Sequence, residues 1–399
     1  MSIDPETRWL TALGATYRGF EAGAQAMPSS LDEARLLDAA SRHKAVSLLY
    51  HAVPSDLPLP YEELKRLSSS RRAVQSWILN DGSAVLEAFE REGVRALTVK
   101  GPALAIQLWG NPHEREFRDM DILVPHKDFY RAVRLMLDLG FVCADYQIRD
   151  EDFDSWLRRI VKIRHLAFRK KGLPVYLEIH GRSPSNLGSA PFGFDEAWNT
   201  SVVVSGGGYA FRTLEPGRHA LYVLIHGAEH SWCQLHWVLD SLAMLTKYEP
   251  EVQEQLARPI PASYTFLDPK ATAAVFAGLV ERLGLGPLPE YLIELKCRKP
   301  DAGVLAILAE RNFADAGLSL SQIGANRRHR VVFLRGLTRG AYRQYLRSAG
   351  DFFLPNDLDL QAFSKWHLPY LAYFFLRPFL FVVRKLKIRL LGKDVNVHL

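Results

Sequence analysis

Cysteine is scarce in this chain of 399 residues: Cys143, Cys233 and Cys297 lie far apart and form no CxxC pair. That spacing argues against a disulfide framework and against a cysteine-built zinc site. Long apolar runs are missing as well. The longest, Leu368 to Val383, is interrupted by Arg377 and Pro378, short of the roughly 20 residues a membrane span needs. The opening MSIDPETRWL has no basic stretch followed by an apolar one, so no signal peptide is read there and the cytoplasm is the expected compartment. No G-x-S-x-G occurs, no GK[ST] follows Gly206-Gly207-Gly208, and no glutamate follows His226 to make HExxH with His230. The serine-hydrolase elbow, the phosphate loop and that zinc motif therefore find no support. What is present is ordinary for a globular chain, 48% hydrophobic and 24% charged, which argues against disorder and against a multi-span membrane protein. The length suggests two or three domains at about 150 residues each.

Apolar spacing predicts helices over 32–53 and 61–92, the second with Trp77, Ile78, Leu86 and Phe89 on its buried side. The pattern then changes. Val94–Val99 reads as a strand, Lys100-Gly101-Pro102 as a turn into a small-residue helix, and Phe117–Val124 as a second strand. A helix over 126–139 and a strand from Phe141 to Tyr146 follow. Residues 163–169 and 174–180 read as a hairpin through Gly172, and Gly206-Gly207-Gly208 as a hairpin turn. From 215 onward the character is helical, over 216–247, 269–283, 289–297 and 301–315. No internal repeat is visible. These shifts divide the chain into 1–82 (helical), 83–213 (α/β core), 214–320 (helical) and 321–399 (basic, aromatic-rich, helical).

The informative stretch is Arg115-Glu116-Phe117-Arg118-Asp119-Met120-Asp121-Ile122-Leu123-Val124. In a strand, Asp119 and Asp121 share one face, while Met120, Ile122 and Val124 share the core face. Strands disfavour aspartate, and two adjacent like charges repel unless a cation lies between them. Either the pair is a solvated strand edge, or it holds a metal such as Mg²⁺, which prefers carboxylate and phosphate oxygens. Tyr176-Leu177-Glu178-Ile179-His180 places Glu178 and His180 on one face of a later strand. Glu178 could complete a two-metal site or take the proton of an attacking hydroxyl. Lys100-Gly101, between strand and helix, offers a point charge and close backbone approach to a phosphate. His165 reads as a neighbour of Glu178 or as a structural histidine. His226, His230, Trp237 and Asp240 read as packing and hydrogen-bonding residues behind a pocket, with Asp240 a partner for an imidazole or for an active-site arginine.

In this order the motifs resemble the nucleotidyltransferases of the DNA polymerase β-like superfamily, and more narrowly an uncharacterised bacterial nucleotidyltransferase family. The residues that carry the resemblance are Lys100-Gly101, Arg115 four residues before Asp119, Asp119-Met120-Asp121-Ile122-Leu123-Val124, and Leu177-Glu178-Ile179-His180-Gly181-Arg182, with His226, His230, Trp237 and Asp240 in the helical part. It spans roughly residues 30–250. It implies an α+β fold, a mixed sheet flanked by helices with helical N- and C-terminal parts. It also implies Mg²⁺ or Mn²⁺ on Asp119, Asp121 and Glu178 as metal-binding and catalytic residues, and a nucleoside triphosphate at Lys100, Gly101, Arg115, Arg118 and His180. The expected reaction moves a nucleoside monophosphate, ATP being the first-choice donor, to a hydroxyl on a small molecule, peptide, protein or RNA. The superfamily's usual Gly-Ser turn is replaced by Lys100-Gly101-Pro102-Ala103, and its commoner third aspartate by Glu178. A catalytically degenerate nucleotide-binding or membrane-associated adaptor, and a metal-dependent phosphohydrolase, remain alternatives.

Basic charge collects in the last quarter. Lys plus Arg number 50 against 44 Asp plus Glu. Between Asp315 and Asp351 no acidic residue occurs, while Arg335, Arg339, Arg343 and Arg347 recur at a helical spacing. Residues 365–391 alternate aromatic clusters with basic residues. These segments read as solvated or packed faces, or as contacts to an anionic partner: a membrane surface met peripherally, an RNA or an acidic protein.

Overall fold

Carboxylate caps start several helices. Asp4 accepts the Thr7 amide at 2.8 Å to open α1 (Pro5–Tyr17), and Asp32 accepts that of Arg35 at 3.0 Å to open α2 (Glu33–Arg42). The computed structural model describes residues 3–22, 32–53, 61–144, 165–181, 191–260, 267–315, 333–334 and 336–338. The arginine stripe, the 365–391 segment and Arg182 lie outside the described residues.

The helix expected over 32–53 is two helices, α2 and α3 (Val46–Ala52). The break falls at Lys44, whose φ of 50° is left-handed. It is pinned by the Ala45 amide on Ala40 O at 2.8 Å and by the Leu235 amide on His43 Nδ1 at 3.1 Å. The next helix, α4 (Tyr61–Arg91), buries Leu64, Ile78, Leu79, Val85 and Phe89. Trp77 is not on that stripe, contrary to the expectation: it stands 43% exposed, because one residue turns the helix by about 100° away from Ile78. Gly82 brings α4 down onto the sheet, since a Cβ there would sit 2.2 Å from the Met120 sulfur.

A two-residue strand, β1 (Glu21–Ala22), pairs antiparallel with β9 (Leu285–Gly286), distant in sequence. Between them run β2 (Leu97–Val99), α5 (Gly101–Trp109), β3 (Met120–Leu123), α6 (Phe129–Asp138), β4 (Phe141–Cys143), β5 (His165–Lys170) and β6 (Tyr176–His180). These five strands form one mixed sheet in the order β2-β3-β6-β5-β4, with β3 and β6 parallel and the other neighbours antiparallel. After α7 (Phe194–Asn199), the hairpin β7 (Val202–Gly206) and β8 (Tyr209–Thr213) turns at Gly207 and Gly208, both at positive φ. The expected 216–247 helix is also two, α8 (Pro216–Glu229) and α9 (Leu235–Lys247), broken where Ser231 and Trp232 take positive φ. The rest comprises α10 (Glu249–Ala257), α11 (Pro269–Arg282), α12 (Glu290–Cys297) and α13 (Ala302–Ala314). This α+β architecture, a mixed sheet flanked by helices, is the fold class read from the sequence.

Pleating gives the sheet two unlike faces. Met120, Ile122, Leu177 and Ile179 pack with α4 and α6 in one core. A larger core joins α1–α3 to the later helices. The register sets Asp121 beside Glu178 and opposite Val99, and Leu123 beside His180, on the second face. There Val99 and Leu123 meet Tyr222 of α8.

Candidate active site

Two parallel strands deliver the central pair. Asp121 and Glu178 are register neighbours on β3 and β6, so their side chains leave the same face. Lys100 Nζ lies 3.1 Å from Asp121 Oδ1, and His180 Nε2 lies 3.0 Å from the same oxygen and 3.4 Å from Glu178 Oε2. Burial by itself would raise the Asp121 carboxyl, but Lys100 and His180 hold it well below the usual carboxylate range. The same contacts outweigh burial at His180 and raise its pKa, and Asp121, Asp119 and Glu178 do so for Lys100. Asp119 stands just ahead of β3, and burial pushes its carboxyl up, aided by Asp121 and Glu178. Glu178 is displaced downward: burial opposes, but its bond to His180 prevails. Its side chain is 29% exposed against 4% for Asp121, which makes Glu178 the more accessible carboxylate of the pair.

The lysine turn is held in a costly conformation. Lys100 has φ 57° and precedes Gly101 at φ 44°, a region that L-residues other than glycine seldom adopt. The Lys100 amide donates to His219 Nε2 at 3.3 Å, and His219 Nδ1 contacts Gln107 Oε1 at 2.6 Å. An accepting Nε2 puts the ring proton on Nδ1, where it donates to Gln107. Burial, then Arg115, drives the His219 pKa down to about 3, so the ring that fixes the turn is neutral. Arg115, buried, sets Nε 2.8 Å from Asp240 Oδ2, and its carbonyl accepts Gln75 Nε2 at 2.7 Å. Of the partners considered for Asp240, the arginine is the one it meets.

The imidazoles of α8 line the far side. His226 packs edge-on to His230 and Trp237, with ring centroids 4.7 and 5.7 Å apart, and stacks near Tyr222 at 6.3 Å. Burial, then Lys100, keeps His226 far below its ordinary pKa. His165 pairs with His180 across β5 and β6, their rings 5.2 Å apart. Arg118 is exposed beside Asp119. Sequence reasoning missed Tyr222, His219 and Lys44. Tyr222 is buried, and its hydroxyl has no hydrogen-bond partner among the described residues. An unbroken apolar helix pattern hides all three.

Among the described residues one donor group suits a metal: Asp121, Glu178 and His180 each offer an atom, all within 4.8 Å of one another. Two carboxylates and an imidazole form a plausible set for a divalent ion. Lys100 and His180 already meet Asp121 Oδ1, the contacts that a bound cation would replace. The residues thus fit a metal ion, with His180 in the donor group and Asp119 beside it.

A mixed sheet presents paired carboxylates next to a lysine turn, an arrangement suited to an anionic substrate. The sequence pattern of the uncharacterised nucleotidyltransferase family matches residues 29–268, and the chain belongs to that family. Membership makes it a transferase and implies a nucleotide substrate. No curated protein and no solved structure matched the chain. No helix among the described residues is long and apolar enough to cross a membrane.

Proposed function

We propose that the chain is a metal-dependent nucleotidyltransferase that moves a nucleoside monophosphate from a nucleoside triphosphate, with ATP the first donor to test, to a hydroxyl acceptor. The observation that carries this reading is the register pairing of Asp121 with Glu178, with Lys100 at 3.1 Å from Asp121. Asp121, Glu178 and, once its ring nitrogen is deprotonated, His180, with Asp119 beside them, would hold Mg²⁺ or Mn²⁺, which would neutralise phosphate charge and support the leaving group.

Lys100 and Arg118 attract the β- and γ-phosphates, and Arg115, oriented by Asp240, adds positive potential. Glu178, ionised and the more open carboxylate, accepts the hydroxyl proton. The acceptor oxygen bonds to the α-phosphorus as the bond from that phosphorus to the bridging oxygen breaks, and pyrophosphate departs. The protein's part is positioning and fixed charge. The acceptor is a small molecule, a peptide or protein, or an RNA end.

Incubation of the protein with α-labelled nucleotides, Mg²⁺ or Mn²⁺ and a cell extract tests the reaction. Label on an acceptor with stoichiometric pyrophosphate supports the reading. Labelled mononucleotide without any acceptor product would instead mark a phosphohydrolase.

A further inference from the structure

Four residues other than glycine take a left-handed φ among the described residues: Lys44, Lys100, Ser231 and Trp232. Two are lysines, and both act on Asp119 although 56 positions separate them in the chain. For a long side chain this backbone is strained, and such strain persists where surrounding contacts impose it, commonly at sites that bind or react.

The Lys44 turn is fixed from three directions. The Ala45 amide closes onto Ala40 O, His43 Nδ1 accepts the Leu235 amide at the start of α9, and the Val46 amide donates to Glu116 Oε2 at 3.2 Å. Glu116 in turn takes Arg71 Nη1 at 2.9 Å. Glu116 lies three residues before Asp119, so the turn is tied to the lead-in of β3. The Lys44 charge acts on Asp119 and Asp240, and it is felt by Arg115, Arg118 and Lys100. Burial weighs most against its ammonium, whose pKa is lowered. Lys44 forms no ion pair with any described residue, whereas Lys100 has Asp121 and Arg115 has Asp240. A half-buried cation, strained into place, set among three more cations and drawn to Asp119 without an ion pair to any described residue, is placed to meet an anionic ligand.

We infer that Lys44, from the turn between α2 and α3, is a phosphate-binding residue that holds the triphosphate of the nucleotide beside Lys100 and Arg118. This rests on the nucleotidyltransferase reading and extends it: the helical N-terminal segment, and not the α/β core alone, supplies part of the triphosphate site. The polyphosphate is what it recognises, whichever base the nucleotide carries.

Calorimetric titration of the full chain with Mg·ATP, Mg·tripolyphosphate and AMP provides the test, using wild type, Lys44→Met and Lys44→Asn. Lys44→Asn suits the left-handed backbone, so it removes the charge while relieving strain. Losing one charge-assisted phosphate contact weakens Mg·ATP and Mg·tripolyphosphate binding roughly 10- to 100-fold. AMP affinity stays within twofold, and nucleotide-free Lys44→Asn melts at or above wild type. If both variants bind Mg·ATP as wild type does, Lys44 is not a phosphate ligand, and the nucleotidyltransferase reading stands. If AMP and ATP binding fall together and melting drops in both variants, the lysine is structural and the inference is overturned. If the wild type binds neither Mg·ATP nor Mg·tripolyphosphate, both ideas fall.

Discussion

On the sheet, buried charge is kept and paired; in the helices packed against it, buried imidazoles are kept neutral. Asp121 stays ionised because Lys100 and His180 outweigh its burial, whereas His219, His226 and His236 sit far below their ordinary pKa because burial prevails. The two responses serve one site. Fixed, compensated charge on β3, β6 and the Lys100 turn awaits a charged ligand. The neutral imidazoles of α8 and α9 add no opposing charge there, and burial strengthens each charge interaction on the sheet. Arg115 and Asp240 bridge the two regions with a buried ion pair.

Breaking the charged side has the largest effect. Asp121→Asn leaves Lys100 and His180 without their common partner, and pyrophosphate release falls by about 10³-fold or more. A variant retaining more than a tenth of wild-type release would remove Asp121 from the chemistry. Next in size is the bridge. Asp240→Ala strands the Arg115 guanidinium, and urea unfolding reads a loss of about 3–5 kcal/mol. A loss below 1 kcal/mol would mean water reaches Arg115.

The neutral side is tested by pH. Burial holds the His43 and His219 imidazoles down at about 3, against an ordinary value of about 6.5. Between those limits the unfolded chain binds more protons than the folded one. Their stabilisation is therefore complete above pH 6.5 and declines as pH falls towards 3. Each contributes up to about 1.4 kcal/mol per pH unit in that window. The urea midpoint accordingly drops from pH 7.5 to 5, and His219→Gln shows a shallower drop. An equal slope in that variant would show that His219 is not held neutral. Smallest of all is Trp77→Ser, on the exposed side of α4, which changes stability by no more than about 0.5 kcal/mol.

Much of this was legible because it is periodic or local. Alternation in Met120-Asp121-Ile122 and Leu177-Glu178-Ile179 foretold both sheet faces, and the glycine turn at Gly207-Gly208 foretold its hairpin. The breaks at Lys44 and at Ser231–Trp232 were hidden, because non-glycine residues at positive φ carry no turn signature and are held by distant partners such as Leu235. The family resemblance implied His180 as a nucleotide contact, and its strand position put it on the face of Glu178; only the register with Leu123 reveals its reach to both Asp121 and Glu178. Asp240 could be matched to Arg115 only in three dimensions, since 125 positions separate them.

The central claim is that the charged face of the sheet binds a metal–nucleotide complex through Asp121. Titrating Mn·ATP into wild type and Asp121→Ala, with Mn²⁺ followed by its electron paramagnetic resonance, tests it most directly. The account predicts saturable binding with an altered Mn²⁺ signal in wild type and loss of both in the variant. Equal binding and an unchanged signal in the variant would contradict it.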